Sequence, residues 1–213
     1  VIVMMDKSYI IRLQKAVGTT PDGVIGSGTL TALFKKLGAK QARAEALGLA
    51  ASVHFKDSGI LDHPLILAHF LGQAVHETGS FTYLEEIASG KAYEGRVDLG
   101  NTVPGYGVRF KGRGIFQLTG YANYVLYSKK LGIDLVTDPT RAAHADISVI
   151  IACRYWTDKG LTALALKDDV NAITKKINGG FNGLDDRIKQ VNRVKACLLY
   201  TSDAADEGSS VDV

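Results

Sequence analysis

The stretch PLILAHFLGQAVHETGSF, residues 64–81, is an apolar run that ends on an acid. Its mostly apolar part, from Pro64 to Val75, predicts a buried helix over residues 63–77. Glu77 stands at the end of that helix, and Gly79 then breaks it, because glycine readily takes the left-handed backbone that terminates helices. A charged group at the edge of a core costs free energy unless it is paired or used. Glu77 is therefore either a chemical group held at a cleft or a simple helix-end carboxylate.

The rest of the chain predicts a mainly α fold. Helical patterns recur around residues 121–131, 140–159 and 168–178, and a last helix begins at residue 184. Strand signals are scarce, and VRFKGRGIFQL, residues 108–118, is the one plausible short strand or hairpin. A long Gly-rich irregular stretch, residues 89–114, comes shortly after Glu77. Long irregular stretches inside compact domains are commonly functional.

The N-terminal 40 residues form a predicted module of their own. LQKAVGTTPDGVIGSGTLTAL, residues 13–33, contains two helical segments joined by the turn Pro21-Asp22-Gly23. The segment resembles the peptidoglycan-binding type 1 repeat in its Leu-Gln helix, its Asp-Gly-x-x-Gly turn and its Thr-led second helix. The resemblance implies a small three-helix fold that anchors the protein to a cell wall. We therefore predict a binding module over residues 1–40 and a larger domain over residues 41–196.

Composition limits the class of protein. The chain has 213 residues, 46% hydrophobic and 22% charged, which is typical of one globular domain plus a small module. No apolar run approaches the roughly 18–20 residues that span a bilayer, and the first residues lack the features of a secretory signal. The two cysteines, Cys153 and Cys197, form neither a metal pattern nor a disulfide pattern. We expect a monomer with no cofactor, no metal and no membrane insertion.

The last segment, CLLYTSDAADEGSSVDV at residues 197–213, differs from the rest of the chain. Its polar, acidic composition without helical or strand period predicts disorder. It resembles the conceptual translation of a transposase-based sequencing adapter, which implies that it is foreign to the native protein. Removing its four acids would raise the formal charge from +3 to +7. A domain this basic suits an anionic polymer or surface; nucleic acid fits the charge alone, but we expect no nucleic-acid partner.

Two acids in contrasting surroundings indicate a reaction. Glu77 follows an apolar helix, and a partly buried carboxyl favours its protonated form, which suits a general acid. Glu94 stands in a polar loop near Arg96, where an ionised carboxylate suits a general base. This combination hydrolyses glycosidic bonds.

Three separated motifs, in order, resemble the family 19 glycoside hydrolases of the chitinase and phage-endolysin type. They are AHFLGQAVHETGSFTYLEE (68–86), AYEGRVDLGNTVPGYGVRFKGRGIFQLTGYANY (92–124) and INGGFNGLDDRI (177–188). The resemblance implies a lysozyme-like, two-lobed helical domain with a cleft between its lobes. It also implies hydrolysis of β-1,4 links to N-acetylated sugars with inversion.

The resemblance assigns roles by position. Glu77 matches the general acid, and Glu94 matches the base that activates the attacking water. Thr119 stands where the family has a serine that helps to hold that water. The residues that match substrate contacts are Gln117, Thr119, Asn123 and Asn178. Arg187 matches a cleft arginine near the acids, and Tyr121 can serve as a substrate contact in place of a family tyrosine at the next position; both are predicted to bind substrate. Inversion requires carboxyl groups roughly 6.5–9.5 Å apart, and we predict that Glu77 and Glu94 meet this requirement.

Some assignments stay open at this point. Glu86 or Asp98 can replace Glu94 as the second carboxylate, because loop alignments slip. Two departures from the plant chitinases make chitin a less secure substrate: HETGS is shorter than HETTGG, and Ala122 replaces a substrate-binding tyrosine. His69 and His76 lack a third ligand and the HExxH spacing, so we predict packing or hydrogen bonds rather than zinc.

The sequence favours an endolysin that hydrolyses the β-1,4 bonds of bacterial peptidoglycan and lyses the host cell. A chitinase and a catalytically inactive wall-binding protein are the alternatives. The expected partner is the peptidoglycan glycan strand. We expect the protein to stay in the host cytoplasm until a holin releases it to the cell wall.

Overall fold

A computed structural model of the protein describes residues 5–199. Ten α-helices occur in this part of the chain: α1 (Lys7–Val17), α2 (Ser27–Lys36), α3 (Gln41–Asp57), α4 (Pro64–Thr78), α5 (Tyr106–Arg109), α6 (Tyr121–Leu131), α7 (Ala145–Asp158), α8 (Leu161–Leu166), α9 (Val170–Asn178) and α10 (Leu184–Leu199). The mainly α prediction is confirmed. None of the helices within residues 5–199 is long and apolar enough to cross a membrane.

The predicted strand at residues 108–118 is largely absent. Arg113 forms isolated antiparallel bridges with Glu85 and Leu118, and no longer ladder develops within the described residues. The region instead contains the four-residue helix α5 and a series of turns that end at glycines. Glycine allows these turns because it adopts positive φ angles without a Cβ clash.

Helix α4 lies at the centre of the molecule. It begins at Pro64, the position where proline costs no hydrogen bond, and His63 caps it by accepting from the Leu65 N–H at 3.0 Å. Its residues are buried almost all round, because α8 and α10 pack against it. Gly72 allows α10 to approach closely, since a Cβ at residue 72 would lie 2.6 Å from the Cα of Val191.

Two hydrophobic cores divide the described residues. The larger core is formed mainly by α1–α4, α7, α8 and α10, and it contains Phe70 and Trp156. The smaller core lies under the irregular stretch and α6, around Phe110 and Tyr124. Tyr155 on α7 packs at the edge of both cores. Two cores joined along one helix agree with the two lobes that the family resemblance implies.

The buried side chain of Gln14 explains why the Leu-Gln and Asp-Gly motif forms the N-terminal hairpin of α1 and α2. Gln14 is buried and donates to Asp22 Oδ1 at 2.7 Å and to the Val24 carbonyl at 2.9 Å, while its side-chain oxygen accepts from the Gly23 N–H at 2.8 Å. One glutamine thus holds the whole Asp-Gly turn.

The hairpin shares the larger core with the rest of the chain. Phe34 on α2 packs edge-on against Phe81 at 5.0 Å. Only two helices lie in the described part of residues 1–40, so a three-helix module needs α3 as its third helix. The boundary at residue 40 and the binding role of the module stay predictions.

The predicted start of the disordered tail, residue 197, is wrong. Helix α10 continues to Leu199, because its apolar spacing through Val191 and Val194 reaches Leu198, which is fully buried. The Tyr9 hydroxyl also donates to the Leu198 carbonyl at 2.6 Å. The rest of that prediction, residues 200–213, lies outside the described residues.

Candidate active site

Glu77 occupies the last turn of α4, directly before a sharp reversal of the chain. Gly79 ends the helix with φ 55°. Thr78 is buried, and its hydroxyl donates to the Ala74 carbonyl at 2.6 Å and accepts from the Phe81 N–H at 2.8 Å. Phe81 also has a left-handed backbone, with φ 65°. These contacts fix the direction in which Glu77 leaves the helix.

A buried polar network holds the Glu77 carboxylate. Arg187 on α10 is 2% exposed, and its Nη2 lies 2.6 Å from Glu77 Oε1. Its Nη1 donates to Gln73 Oε1 at 2.6 Å, and Gln73 donates in turn to the Thr174 hydroxyl at 3.0 Å. The apolar run predicted apolar surroundings for Glu77, and the family resemblance placed Arg187 near the acids; the structure joins the two residues in an ion pair. Such a pair compensates the cost of removing both charges from water.

Tyr155 connects Glu77 to a cavity. Burial raises the pKa of Tyr155 to about 12, and the negative charge of Glu77 adds to the rise. The Glu77 carboxylate therefore lies within electrostatic reach of the Tyr155 hydroxyl. Tyr155 also lines a cavity of about 570 Å³, whose walls come from both cores.

Four of the predicted substrate-binding residues line this cavity, namely Gln117, Thr119, Asn123 and Asn178. Thr119 Oγ1 donates to the Gln117 carbonyl at 2.9 Å, and Asn123 donates to the Thr119 carbonyl at 2.8 Å. Gln117 has φ 53°, which is uncommon for a residue with a side chain and is often found at functional sites. The side-chain nitrogen of Asn178 is buried and has no hydrogen-bond partner among residues 5–199. Buried donors without a partner are uncommon in folded proteins, and this one belongs to a residue of the cavity wall.

Glu86 lies beside two of these residues. Its Oε2 accepts from the Gly112 N–H at 3.1 Å, and its Oε1 accepts from the Tyr93 hydroxyl at 3.0 Å. A Cβ at residue 112 would lie 2.7 Å from Gln117 Oε1 and 3.2 Å from both Glu86 Oε2 and Thr119 Oγ1. Three side-chain oxygens, one from Glu86 and two from the segment 117–119, therefore converge at Gly112.

Glu94 is held differently. Its Oε2 accepts from the Gly105 N–H at 3.1 Å and its Oε1 accepts from the Val108 N–H at 3.2 Å, so the carboxylate caps the start of α5. It lines a shallow depression together with residues 101–105, apart from the cavity described above. The third alternative, Asp98, is exposed and pairs with Arg96, whose hydrogen bonds lower the pKa of Asp98. The assignment of Glu94 as the base stays a prediction.

Tyr121 belongs to the smaller core. Its ring packs 4.7 Å from Tyr106 and 5.2 Å from Phe110, and its backbone N–H donates to Asn101. It is not one of the residues that line the cavity. A sugar contact from Tyr121 stays a prediction.

The histidines have aspartate partners. His69 Nε2 lies 2.7 Å from Asp168 Oδ1, and His76 Nδ1 lies 2.6 Å from Asp186 Oδ2. No group of three His, Cys, Asp or Glu side chains within residues 5–199 is arranged to hold a metal. Both histidines are thus used in hydrogen bonds, as the spacing indicated.

Sequence reasoning missed the part of the cavity formed by Tyr155, Lys159 and Lys176. Tyr155 lies in ISVIIACRYW, a stretch typical of a buried helix. The two lysines look like ordinary solvated charges. No local signal distinguishes them, because their proximity arises only from the packing of α7 against the segment that contains α9.

Comparisons with known proteins find similar sequences in proteins described as a glycosyl hydrolase and as a chitinase. No family model matches the chain. A protein of Haemophilus influenzae described as containing a glycosyl hydrolase family 19 domain is 36% identical over 104 residues, covering 49% of this chain and 50% of the relative. An endochitinase of Arabidopsis thaliana is 39% identical over 114 residues, covering 54% of this chain and 39% of the relative. The chain thus spans half or less of the length of these curated relatives.

Solved structures agree on the fold. Chitinase C from Streptomyces griseus has a TM-score of 0.59 at 20% identity, covering 79% of this chain and 75% of the other. A family GH19, class IV chitinase from Zea mays has a TM-score of 0.62 at 20% identity, covering 79% and 92%. The lysozyme-like, two-lobed helical fold is confirmed by these similarities. The solved structures thus share the fold of this chain, and the curated relatives, which are described as a glycosyl hydrolase family 19 domain protein and an endochitinase, share sequence with about half of it.

Proposed function

We propose that this protein hydrolyses β-1,4 glycosidic bonds of peptidoglycan by an inverting, two-carboxylate mechanism, as an endolysin. The observation that carries the proposal is the Glu77 carboxylate held by buried Arg187, with its charge acting on Tyr155, which lines a cavity that has hydrogen-bonding walls. A rigid acid next to polar groups that can orient a sugar is the arrangement that glycoside hydrolysis needs.

In the proposed reaction Glu77 protonates the leaving glycosidic oxygen. The second carboxylate accepts a proton from the attacking water on the opposite face of the ring, and the Thr119 hydroxyl helps to orient that water. The Asn178 amide, which lacks a partner among the described residues, donates to the bound sugar.

Two residues compete for the role of general base. Glu94 matches the family position, but it lines a shallow depression apart from the cavity that contains Gln117 and Thr119. Glu86 stands beside Gln117 and Thr119 at Gly112. We favour Glu86, because a base has to reach the water that Thr119 holds.

Peptidoglycan is favoured over chitin by the N-terminal hairpin and by the basic charge, which suits a polyanionic wall. The chitinase alternative has support of its own, because the curated relatives and solved structures include chitinases. As an endolysin, the protein would remain in the host cytoplasm until a holin gives it access to the wall, and it would act as a monomer.

The test is a turbidity assay on outer-membrane-permeabilised bacteria, run beside cleavage of a soluble chitin oligomer. Lysis without chitin cleavage supports the endolysin, and the reverse supports the chitinase. Wall binding without either activity indicates an inactive wall-binding protein and overturns the proposal. Proton NMR of fresh products checks the mechanism, since inversion at a β-link yields the α-anomer first.

Variants decide the base. Glu86→Gln, Glu94→Gln and Asp98→Asn test the three candidate acids, and Asp146→Asn is the control, because Asp146 is exposed and lines neither the cavity nor the depression. We expect Glu86→Gln to lower kcat by about 10²-fold or more, a typical loss for an acid–base group. A loss of that size in Glu94→Gln alone, with its fold intact by circular dichroism, would return the role to Glu94.

A further inference from the structure

Two lysines line the cavity beside Tyr155 without an acidic partner. The Nζ of Lys159 lies 5.6 Å from the centre of the Tyr155 ring, a cation–π distance. The Nζ of Lys176 donates to the Lys159 carbonyl at 2.9 Å. Neither lysine forms an ion pair within residues 5–199, so no acidic side chain in that range neutralises either positive charge.

The one acid on the cavity wall is already neutralised. Asp158 Oδ2 lies 2.5 Å from Lys130, and Asp158 Oδ1 accepts from Arg154 at 3.0 Å. The charges of Lys159 and Lys176 are therefore a net positive surplus on the wall. A cleft lined by one sign of charge attracts ligands of the opposite sign.

The surplus charge is close to the reaction centre. The Tyr155 hydroxyl donates to the Lys176 carbonyl at 3.1 Å, and the same hydroxyl lies within electrostatic reach of Glu77. Asn178, with its unpaired amide, follows Lys176 by two residues on the same wall. A sugar that contacts Asn178 near Glu77 would thus present its substituents to the two lysines.

We infer that Lys159 and Lys176 recognise a carboxylate substituent on the glycan, so that the cavity selects an acidic N-acetylated glycan over neutral chitin. The inference deepens the proposed function and rests on it. In peptidoglycan the carboxylate is either the lactyl group of a muramic acid or part of the peptide attached to it. Both offer the same chemistry to an ammonium group.

The experiment measures equilibrium binding, so that it does not depend on turnover. In a Glu77→Gln background, calorimetry gives Kd for four oligosaccharides of equal length. They are a peptide-free muramic-acid glycan, the same glycan with its peptides, the peptide-free glycan with its carboxylates amidated, and a chitin oligomer. The ratio of Kd for chitin to Kd for the acidic glycan is the specificity ratio.

The variant set isolates the two charges. Lys159→Ala with Lys176→Ala removes them, and Lys159→Arg with Lys176→Arg keeps them. Lys175→Ala is the matched control, since Lys175 is an exposed neighbour on α9 that does not line the cavity. Thermal unfolding of every variant verifies that the fold is retained.

We expect the double alanine variant to lower the specificity ratio roughly tenfold, from about two- to fivefold for each partly exposed charge pair. The double arginine variant should keep most of the ratio, and Lys175→Ala should keep all of it. Higher salt should lower the ratio for the parent protein. Tight binding of the peptide-free glycan identifies the lactyl carboxylate, whereas tight binding only with peptides identifies a peptide carboxylate.

Two results overturn the inference. One is an equal specificity ratio for the double alanine variant and Lys175→Ala. The other is equal affinity of the parent protein for the acidic glycan and its amidated form. Failure of the proposed function is a separate outcome. The protein with Glu77 intact would then lyse no cells, while the binding ratios of the Glu77→Gln variants would remain measurable.

Discussion

Two kinds of structure hold carboxylates in this molecule. Glu77 projects from a long buried helix and is fixed by the Arg187 side chain, which comes from the far end of the chain. Glu86 and Glu94 belong to an irregular region, where backbone N–H groups hold them. The helix supplies rigidity through burial, whereas the loops supply it through hydrogen bonds that any small shift alters. The four predictions below test that difference.

The largest expected effect is the loss of activity in Glu77→Gln. Glutamine keeps the shape and accepts from Arg187, but it cannot donate a proton as an acid does. We expect kcat to fall by about 10³-fold, within the usual range for acid–base catalysis. Hydrolysis of permeabilised cell walls measures it. Retention of more than about a tenth of the activity would remove Glu77 from the mechanism.

Arg187→Ala tests the side-chain anchor. It leaves Glu77 and the Gln73 oxygen without their buried partner, and breaking such a pair costs about 3 kcal/mol of unfolding free energy. Urea denaturation measures the change. Lys189→Ala, on the exposed face of the same helix, is the control and should change stability by less than about 0.5 kcal/mol. Similar values for both variants would contradict the buried network.

Gly72→Ala tests the close packing of α10 against α4, the helix that carries Glu77. The new methyl group would press on the backbone of Val191, and overpacking of this kind costs about 2 kcal/mol. Gly28→Ala in α2 would meet only the Thr19 hydroxyl, at an ordinary contact distance of 3.8 Å, and should leave stability unchanged or raise it slightly. Equal destabilisation by the two substitutions would mean that α4 and α10 are not in close contact.

The smallest effect is expected for the loop. Glu94→Ala removes the acceptor for two N–H groups at the start of α5, and loss of such a cap costs about 1 kcal/mol. Thermal unfolding compares it with Lys91→Ala, an exposed neighbour in the same region. A loss above about 3 kcal/mol would place Glu94 among the buried pairs instead.

The same contrast explains what the sequence could predict. The helix at residues 63–77 differs from the observed Pro64–Thr78 by one residue at each end, because periodicity, Pro64 and Gly79 are all local signals. The partnership of Glu77 with Arg187 depends on packing between distant segments, and the motif order provided it only through family resemblance. The choice between Glu86 and Glu94 depends on loop contacts such as the Glu86 N–H to the Gly112 carbonyl at 2.9 Å. Those contacts have no sequence period, so the loops were the least predictable part of the site.

The close approach of three side-chain oxygens to Gly112 predicts which kind of mutation will occur at this position. It is not among the residues with positive φ, so alanine suits its backbone, and the oxygens that a methyl group would meet are all at the ends of side chains. Substitution there should move Gln117, Glu86 and Thr119 together without unfolding the chain. A screen for full-length, well-expressed protein that lacks the proposed hydrolase activity is expected to return this position often. Substitutions that abolish the proposed activity and substitutions that unfold the protein are thus expected at different glycines, Gly112 and Gly72.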